Sequence, residues 1–125
     1  MMKVLRKPHS RASAAIWAAV ETGTVEGVLA AHALTTIHYL VRKERGTAKA
    51  RRTVAAILRV FGIAAVDADV VRQALALPWP DFEDSVTASA ADSAGCDAIV
   101  TRDPRGFPDS PVRVLTPEAA RALWA

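Results

Sequence analysis

Gly95-Cys96-Asp97-Ala98-Ile99-Val100-Thr101-Arg102-Asp103-Pro104 is the stretch that decides the fold. Gly95 ends whatever helix precedes it, Asp97 to Thr101 is a short run with an apolar centre, and Asp103-Pro104 turns the chain. A run so short, apolar at successive positions, reads as a strand buried on both faces, the kind found in parallel sheets. Similar runs recur on either side at Val25 to Ala30, Ile63 to Val66 and Val112 to Leu115.

Between these runs the apolar positions follow helical spacing. Ala12, Ala15, Ile16, Ala19 and Val20 predict a helix from Ser10 to Thr22, stopped by Gly23. Leu34, Ile37, Tyr39, Leu40 and Val41 form the stripe of a second over Ala33–Arg45, with Arg42, Lys43 and Arg45 in its last turn and Gly46 beyond. Thr47 can cap a third reaching Phe61, with Val54, Ile57, Leu58 and Phe61 inward. Asp67 or Asp69 caps a helical pattern through Leu77, and Asp81 opens one reaching Ala94 after the breakers Pro78 and Pro80. Thr116-Pro117-Glu118 starts the last, a cap followed by proline at the first helical position, ending near Trp124. Strands alternating with helices imply an α/β fold with a parallel sheet covered on both faces. Ligands in such sheets sit outside the carboxyl ends of the strands, so functional residues are expected just after Ala30, Val66, Thr101 and Leu115.

The chain has 125 residues, 51% hydrophobic and 23% charged, which fits one packed domain and excludes a disordered chain. It contains no apolar run of membrane-spanning length, its first residues lack a signal-type apolar core, and Cys96 is the single cysteine. A cytoplasmic protein without disulfides or membrane association is therefore expected, with no cysteine cluster for structural zinc. The net charge of +3 conceals a division: residues 1–61 hold 11 Lys/Arg against 3 Asp/Glu, residues 62–125 hold 5 against 10. This fits a basic surface for a polyanion beside an acidic pocket for a cation, and equally a difference between solvated helix faces.

Asp81-Phe82-Glu83-Asp84 opens a helix, with Asp81 and Asp84 near enough to share a face while Phe82 can turn inward. Asp103 follows a strand end. Together these carboxylates could converge on a hard divalent cation, Mg²⁺ or Mn²⁺, able to orient water against a phosphoryl group. Each also has a structural reading: Asp81 as a helix cap, Glu83 and Asp84 as partners of the helix dipole, Asp103 as a turn residue. His9, His32 and His38 do not stack in pairs on a helical face, Cys96 has no local base, and Trp17, Trp79 and Trp124 read as core or interface anchors. There is no glycine-rich phosphate loop and no nucleophile-elbow serine.

Asp81-Phe82-Glu83-Asp84-Ser85-Val86-Thr87-Ala88-Ser89-Ala90-Ala91, followed by Gly95 to Asp103 and Phe107, resembles the PIN-domain family of nucleases and is most similar to bacterial VapC-type toxins. Ala33 to Leu40 and Pro111 to Glu118 resemble an earlier helix and the last strand and helix of that family, so the likeness spans nearly the whole chain. It implies a three-layer α/β/α sandwich, residues 1–125 as a single PIN-like domain, Mg²⁺ or Mn²⁺, and RNA hydrolysis by the toxin of a toxin–antitoxin pair. By position, Asp84 and Asp103 are the implied metal carboxylates, Asp81 an auxiliary acid or cap, and Thr101 a support for Asp103 or a phosphate contact. Arg42, Lys43, Arg51, Arg52 and Arg102 are candidates for the RNA backbone. The implied partners are RNA, an antitoxin protein and a second copy in a homodimer.

Three departures accompany the likeness. His38 stands where many members carry a glutamate, and Gly106 where an aspartate often precedes the phenylalanine. The family's first strand, central in its sheet and ending in an essential aspartate, has no counterpart, since Met1 to His9 align with the segment after it. Three explanations follow: a misassigned start with a longer working protein, a degraded toxin, or Met1 to Leu5 slipping into the vacant strand position. The first is the expectation adopted, giving an N-terminally truncated domain that is poorly folded or inactive. The rival functions are a catalytically inactive PIN-like module that binds RNA or antitoxin, and a regulatory α/β domain whose acids are only caps.

Overall fold

The protein is described by a computed structural model over residues 1–7 and 14–124. Its strands are β1 (Lys3–Arg6), β2 (Glu26–Ala30), β3 (Gly62–Ala64), β4 (Ala98–Val100) and β5 (Arg113–Leu115). The helices among the described residues are α1 (Ala14–Glu21), α2 (Ala31–Arg45), α3 (Thr47–Val60), α4 (Ala68–Leu75), α5 (Phe82–Ser93) and α6 (Pro117–Trp124), with one 3₁₀ turn at Pro104–Gly106. The expected start of the first helix at Ser10 and the candidate His9 lie outside the described residues.

All strand pairs are parallel, in the order β3-β2-β1-β4-β5. The central position is therefore filled. Lys3 to Arg6 occupies it: Val4 pairs with Gly27 on one side and Ala98 on the other. Main-chain bonds from Lys7 N to Val100 O (3.0 Å) and from Asp97 N to Lys3 O (2.7 Å) extend that pairing past the strand ends.

Alternation along the strands divides the core between the two faces of the sheet. Leu5, Val28 and Ile99 face one layer with Val86, Ala88 and Ala91 of α5 and Val70 of α4. Val4, Leu29, Ala98 and Val100 face the other with Ile16 of α1, Ile57 of α3 and Ala120 of α6. This is the three-layer α/β/α sandwich. Every residue from Asp84 to Ala91 on α5 is buried, and small side chains let the helix lie close to the sheet. Gly27 serves the opposite face: a Cβ there would come within 2.4 Å of a Val20 methyl.

The caps follow the sequence. Asp67 accepts from Val70 N at 3.0 Å, Asp81 from Glu83 N at 2.9 Å and Asp84 N at 3.3 Å, and Thr116 Oγ1 from Ala119 N at 3.1 Å. For α3 the N-cap is Gly46, and Thr47 is already helical. Trp17, Trp79 and Trp124 are partly buried against the two cores, as anchors. The inward assignments of Tyr39, Leu40, Leu58 and Phe82 are corrected: all four are exposed. Most of α2 packs on α3 as a hairpin rather than on the sheet, so only part of each predicted stripe finds a partner. Phe82 occupies the first turn of α5, ahead of its buried run. No helix among the described residues is long and apolar enough to cross a membrane.

Candidate functional site

The chain winds from β1 out to β2 and β3, then returns to lay β4 and β5 on the other side of β1. The switch point, where a parallel sheet opens a crevice, therefore lies beyond the carboxyl ends of β1 and its neighbours. Arg6 and Lys7 stand there at the end of β1, His32 after β2, and Thr101 and Arg102 after β4. A cleft of about 250 Å³ is bordered by Arg6, Lys7, His32, Thr36, Asp81, Glu83 and Thr87, among others.

Inside it an ammonium is held among acids. Lys7 Nζ donates to Asp84 Oδ1 and stands 3.7 Å from Glu83 Oε1. Its Nζ also lies 5.4 Å from the centre of the Phe107 ring, and that ring meets Trp79 edge-on at 5.6 Å. Burial pulls the Lys7 pKa down, but the bond to Asp84 and the charges of Glu83, Asp84 and Asp81 outweigh it and raise the value. Asp84 is 6% exposed, and burial pushes its carboxyl up while Lys7 offsets only part of that. Glu83 is drawn below the ordinary carboxylate range, first by His32, against burial, and then by Lys7. His32 Nε2 is 3.8 Å from Glu83 Oε2 and 3.4 Å from Thr87 Oγ1, and its buried Nδ1 has no hydrogen-bond partner among the described residues.

The acids expected to share a cation are placed differently from one another. Asp84 is engaged by Lys7 on one oxygen; its other oxygen lies 2.8 Å from where a Gly106 Cβ would stand, so the glycine makes room for the carboxylate. Asp81 borders the cleft, but its carboxylate caps α5. Asp103 is exposed, its Oδ1 3.5 Å from Arg105 Nε, and its backbone N–H donates to the Thr101 hydroxyl at 3.1 Å. Among the described residues no group of three His, Cys, Asp or Glu side chains is placed to hold a metal ion. The donor set therefore does not fit Mg²⁺ or Mn²⁺, which need several oxygen ligands free of competing cations.

The basic candidates fall into two groups. Thr101, buried, and Arg102, exposed, follow β4 at the carboxyl end of the sheet without lining the cleft. Arg42 and Lys43 lie near the end of α2, ten residues or more past His32 and so about 15 Å farther along the helix. Arg51 and Arg52 border a separate surface cleft with His38 and Leu58, and Arg42 sits 5.9 Å from the Tyr39 ring. His38, read as the stand-in for a glutamate, is thus away from the crevice, and His32 enters it. Sequence reasoning did not single out Lys7, Glu83 or Arg6 as site residues; the available signal was the pair Arg6-Lys7 directly after an apolar run at a strand end.

Comparison with known proteins gives the same fold. A VapBC complex from Salmonella typhimurium bound to DNA contains a chain with a TM-score of 0.70 at 16% identity, covering 93% of this chain and 98% of that one. VapBC2 from Rickettsia felis, bound to a DNA fragment from its promoter, gives 0.67 at 14%, covering 92% and 98%. VapC20 of Mycobacterium tuberculosis, a toxin that cleaves the sarcin-ricin loop, gives 0.51 at 18%, covering 77% and 86%. No curated protein matches the chain. The sequence model of the PIN domain matches residues 1–105, most of the chain's length, and the chain belongs to the PIN domain family.

Proposed function

We propose that this chain is a PIN-domain module of the toxin–antitoxin kind that binds RNA and an antitoxin-class protein without hydrolysing RNA through Mg²⁺ or Mn²⁺. The observation that carries the reading is the ammonium of Lys7 on the buried carboxylate of Asp84. A divalent ion at Asp84 would have to displace that ammonium or lie against it, and like charges at contact in a poorly solvated site repel strongly. The acids that remain give no replacement set, since Asp81 caps a helix and Asp103 faces solvent beside Arg105.

RNA binding is supported by the basic first half of the chain, whose Arg42, Lys43, Arg51 and Arg52 are exposed on α2 and α3. Arg102, exposed after β4, adds a cation at the carboxyl end of the sheet, while Thr101 is buried. Such binding is sequence-independent and weakens with salt. A protein partner of the antitoxin type is supported by the VapBC complexes of similar fold. The test is a labelled single-stranded RNA incubated with the full chain in Mn²⁺ and in EDTA. The expected result is equal binding in both and no cleavage. Cleavage that EDTA abolishes, and that Asp84→Asn and Asp103→Asn each remove, overturns the reading in favour of a metal-dependent ribonuclease with Asp81, Asp84 and Asp103 as its acids.

A further inference from the structure

The α2–α3 hairpin shows solvent a second apolar row, apart from the one that serves the core. Ala50 and Ile57 of α3 are buried, and Ile57 belongs to the core. A neighbouring face of the same helix carries Arg51, Val54, Ala55 and Leu58, at the spacing i, i+3, i+4, i+7 that sets side chains in line. These four, with Arg52 beside them and His38 from α2, border an open cleft of about 460 Å³. Leu58 is 53% exposed, and Ala55 is exposed too. The row spans two turns, about 10 Å at the rise of an α-helix.

The charge around this row has one sign. Residues 31–60 hold seven Lys/Arg against one acid, Glu44, and no ion pair among the described residues engages any of the seven. Residues 8–13 and 125 bring no acidic side chain that could alter this balance. An aliphatic row flanked by cations is the complement of one helix face: apolar residues at i, i+3, i+4 and i+7, with Glu or Asp on either side of them. Ala55 leaves room for such a helix to approach α3 to the roughly 8–10 Å between the axes of packed helices. A strand of RNA fits the row less well. Its phosphates could use the arginines, but Val54, Ala55 and Leu58 offer no ring on which a base can stack.

We propose that the α2–α3 cleft seats an acidic amphipathic helix of a partner protein, lying along α3 with its apolar face on Val54, Ala55 and Leu58 and its carboxylates toward Arg51 and Arg52. Covering Leu58 takes apolar surface out of water, while the opposite charges orient the helix and speed its arrival. The helix and RNA share Arg51 and Arg52, so the bound helix displaces RNA from that part of the basic surface without entering the crevice of Lys7 and Asp84. This deepens the protein-partner half of the reading above and rests on it for the existence of a partner.

The probe is a labelled peptide of about 18 residues, long enough to hold a helix, with leucines at i, i+3, i+4 and i+7, glutamates beside them and alanine elsewhere. A scrambled peptide of the same composition, its leucines spread around the helix, is the control for charge alone. Anisotropy is measured across a salt series with the full chain, Leu58→Ser, the double variant Arg51→Gln with Arg52→Gln, and Leu75→Ser, an exposed leucine of α4. All the substituted side chains are exposed, and an unchanged Tm shows that the fold is kept. Leu58→Ser is expected to weaken binding about tenfold, as for one leucine lost from a covered contact, without changing the salt dependence. The arginine double variant flattens the salt dependence, Leu75→Ser binds like wild type, and unlabelled peptide displaces a labelled single-stranded oligoribonucleotide. Failure of the wild type to bind the peptide, or equal affinity for the scrambled peptide or in a folded Leu58→Ser, overturns the site. Leu58-dependent attachment to phosphatidylglycerol vesicles or to RNA, with the peptide ignored, gives the cleft to that ligand and also overturns it. Leu58-dependent peptide binding by a wild type that ignores RNA supports the site and sinks the RNA-binding reading instead.

Discussion

Lys7 and Asp84 show how one ammonium sets the charge balance of an acid-lined crevice. A buried carboxylate needs a positive partner, and here the backbone supplies it from the end of the central strand. Lys7→Met should therefore destabilise the protein by about 3 kcal/mol, read from urea unfolding, because it strands Asp84 without a cation. Adding Asp84→Asn to Lys7→Met should recover much of that loss, since the neutral amide needs no counter-charge, and a purely additive result would show that the two groups do not interact. Glu83 gives a pH signature. Its pKa is lowered on folding, so its contribution is present above the ordinary glutamate range and is lost as pH falls through the folded value. Asp84, raised by burial, acts in the opposite sense. Glu83→Gln should flatten the acid limb of Tm against pH between roughly pH 5 and 3. The sequence displayed these acids plainly. What it could not display was that a lysine 77 positions away would be among them, because strand register decides that and register is a property of the assembled sheet.

At the scale of elements the caps were legible, because they are local chemistry. Asp81, Asp67 and Thr116 each bond backbone N–H groups within three residues, and the residue types alone announced it. Asp81→Ala should cost about 1 kcal/mol in thermal or urea unfolding and leave the Lys7–Asp84 pair in place, a split visible if Lys7→Met remains equally destabilising in that background. Four of the strands, β2 to β5, were legible too, each found within a few residues of its expected position. The apolar stripes of α2 and α3 were only half legible. Periodicity identifies a helix and the residues that share a face, yet which portion of that face meets the sheet depends on where the hairpin runs, and Tyr39, Leu40 and Leu58 remain in solvent.

At the scale of the molecule, the α/β/α sandwich followed from the βα alternation, but the identity of the middle strand did not. Lys3 to Arg6 is short and carries charge at both ends, and only the pairing on its two sides makes it central. Val4 and Leu5 are fully buried on opposite faces, so Leu5→Ala should cost 2 to 5 kcal/mol, about the range for large core truncations, in equilibrium unfolding by circular dichroism. A loss well under 1 kcal/mol would deny the strand its place. That placement also sets a clock. The hydrogen bonds of β1 to β2 join residues close in the chain, whereas its bonds toward β4 join partners 94 apart, so one rim of the nascent sheet stays open until a long loop has closed. Refolding of this molecule should then be a race between that late closure and the capture of the bare rim by another copy, with yield falling as concentration rises.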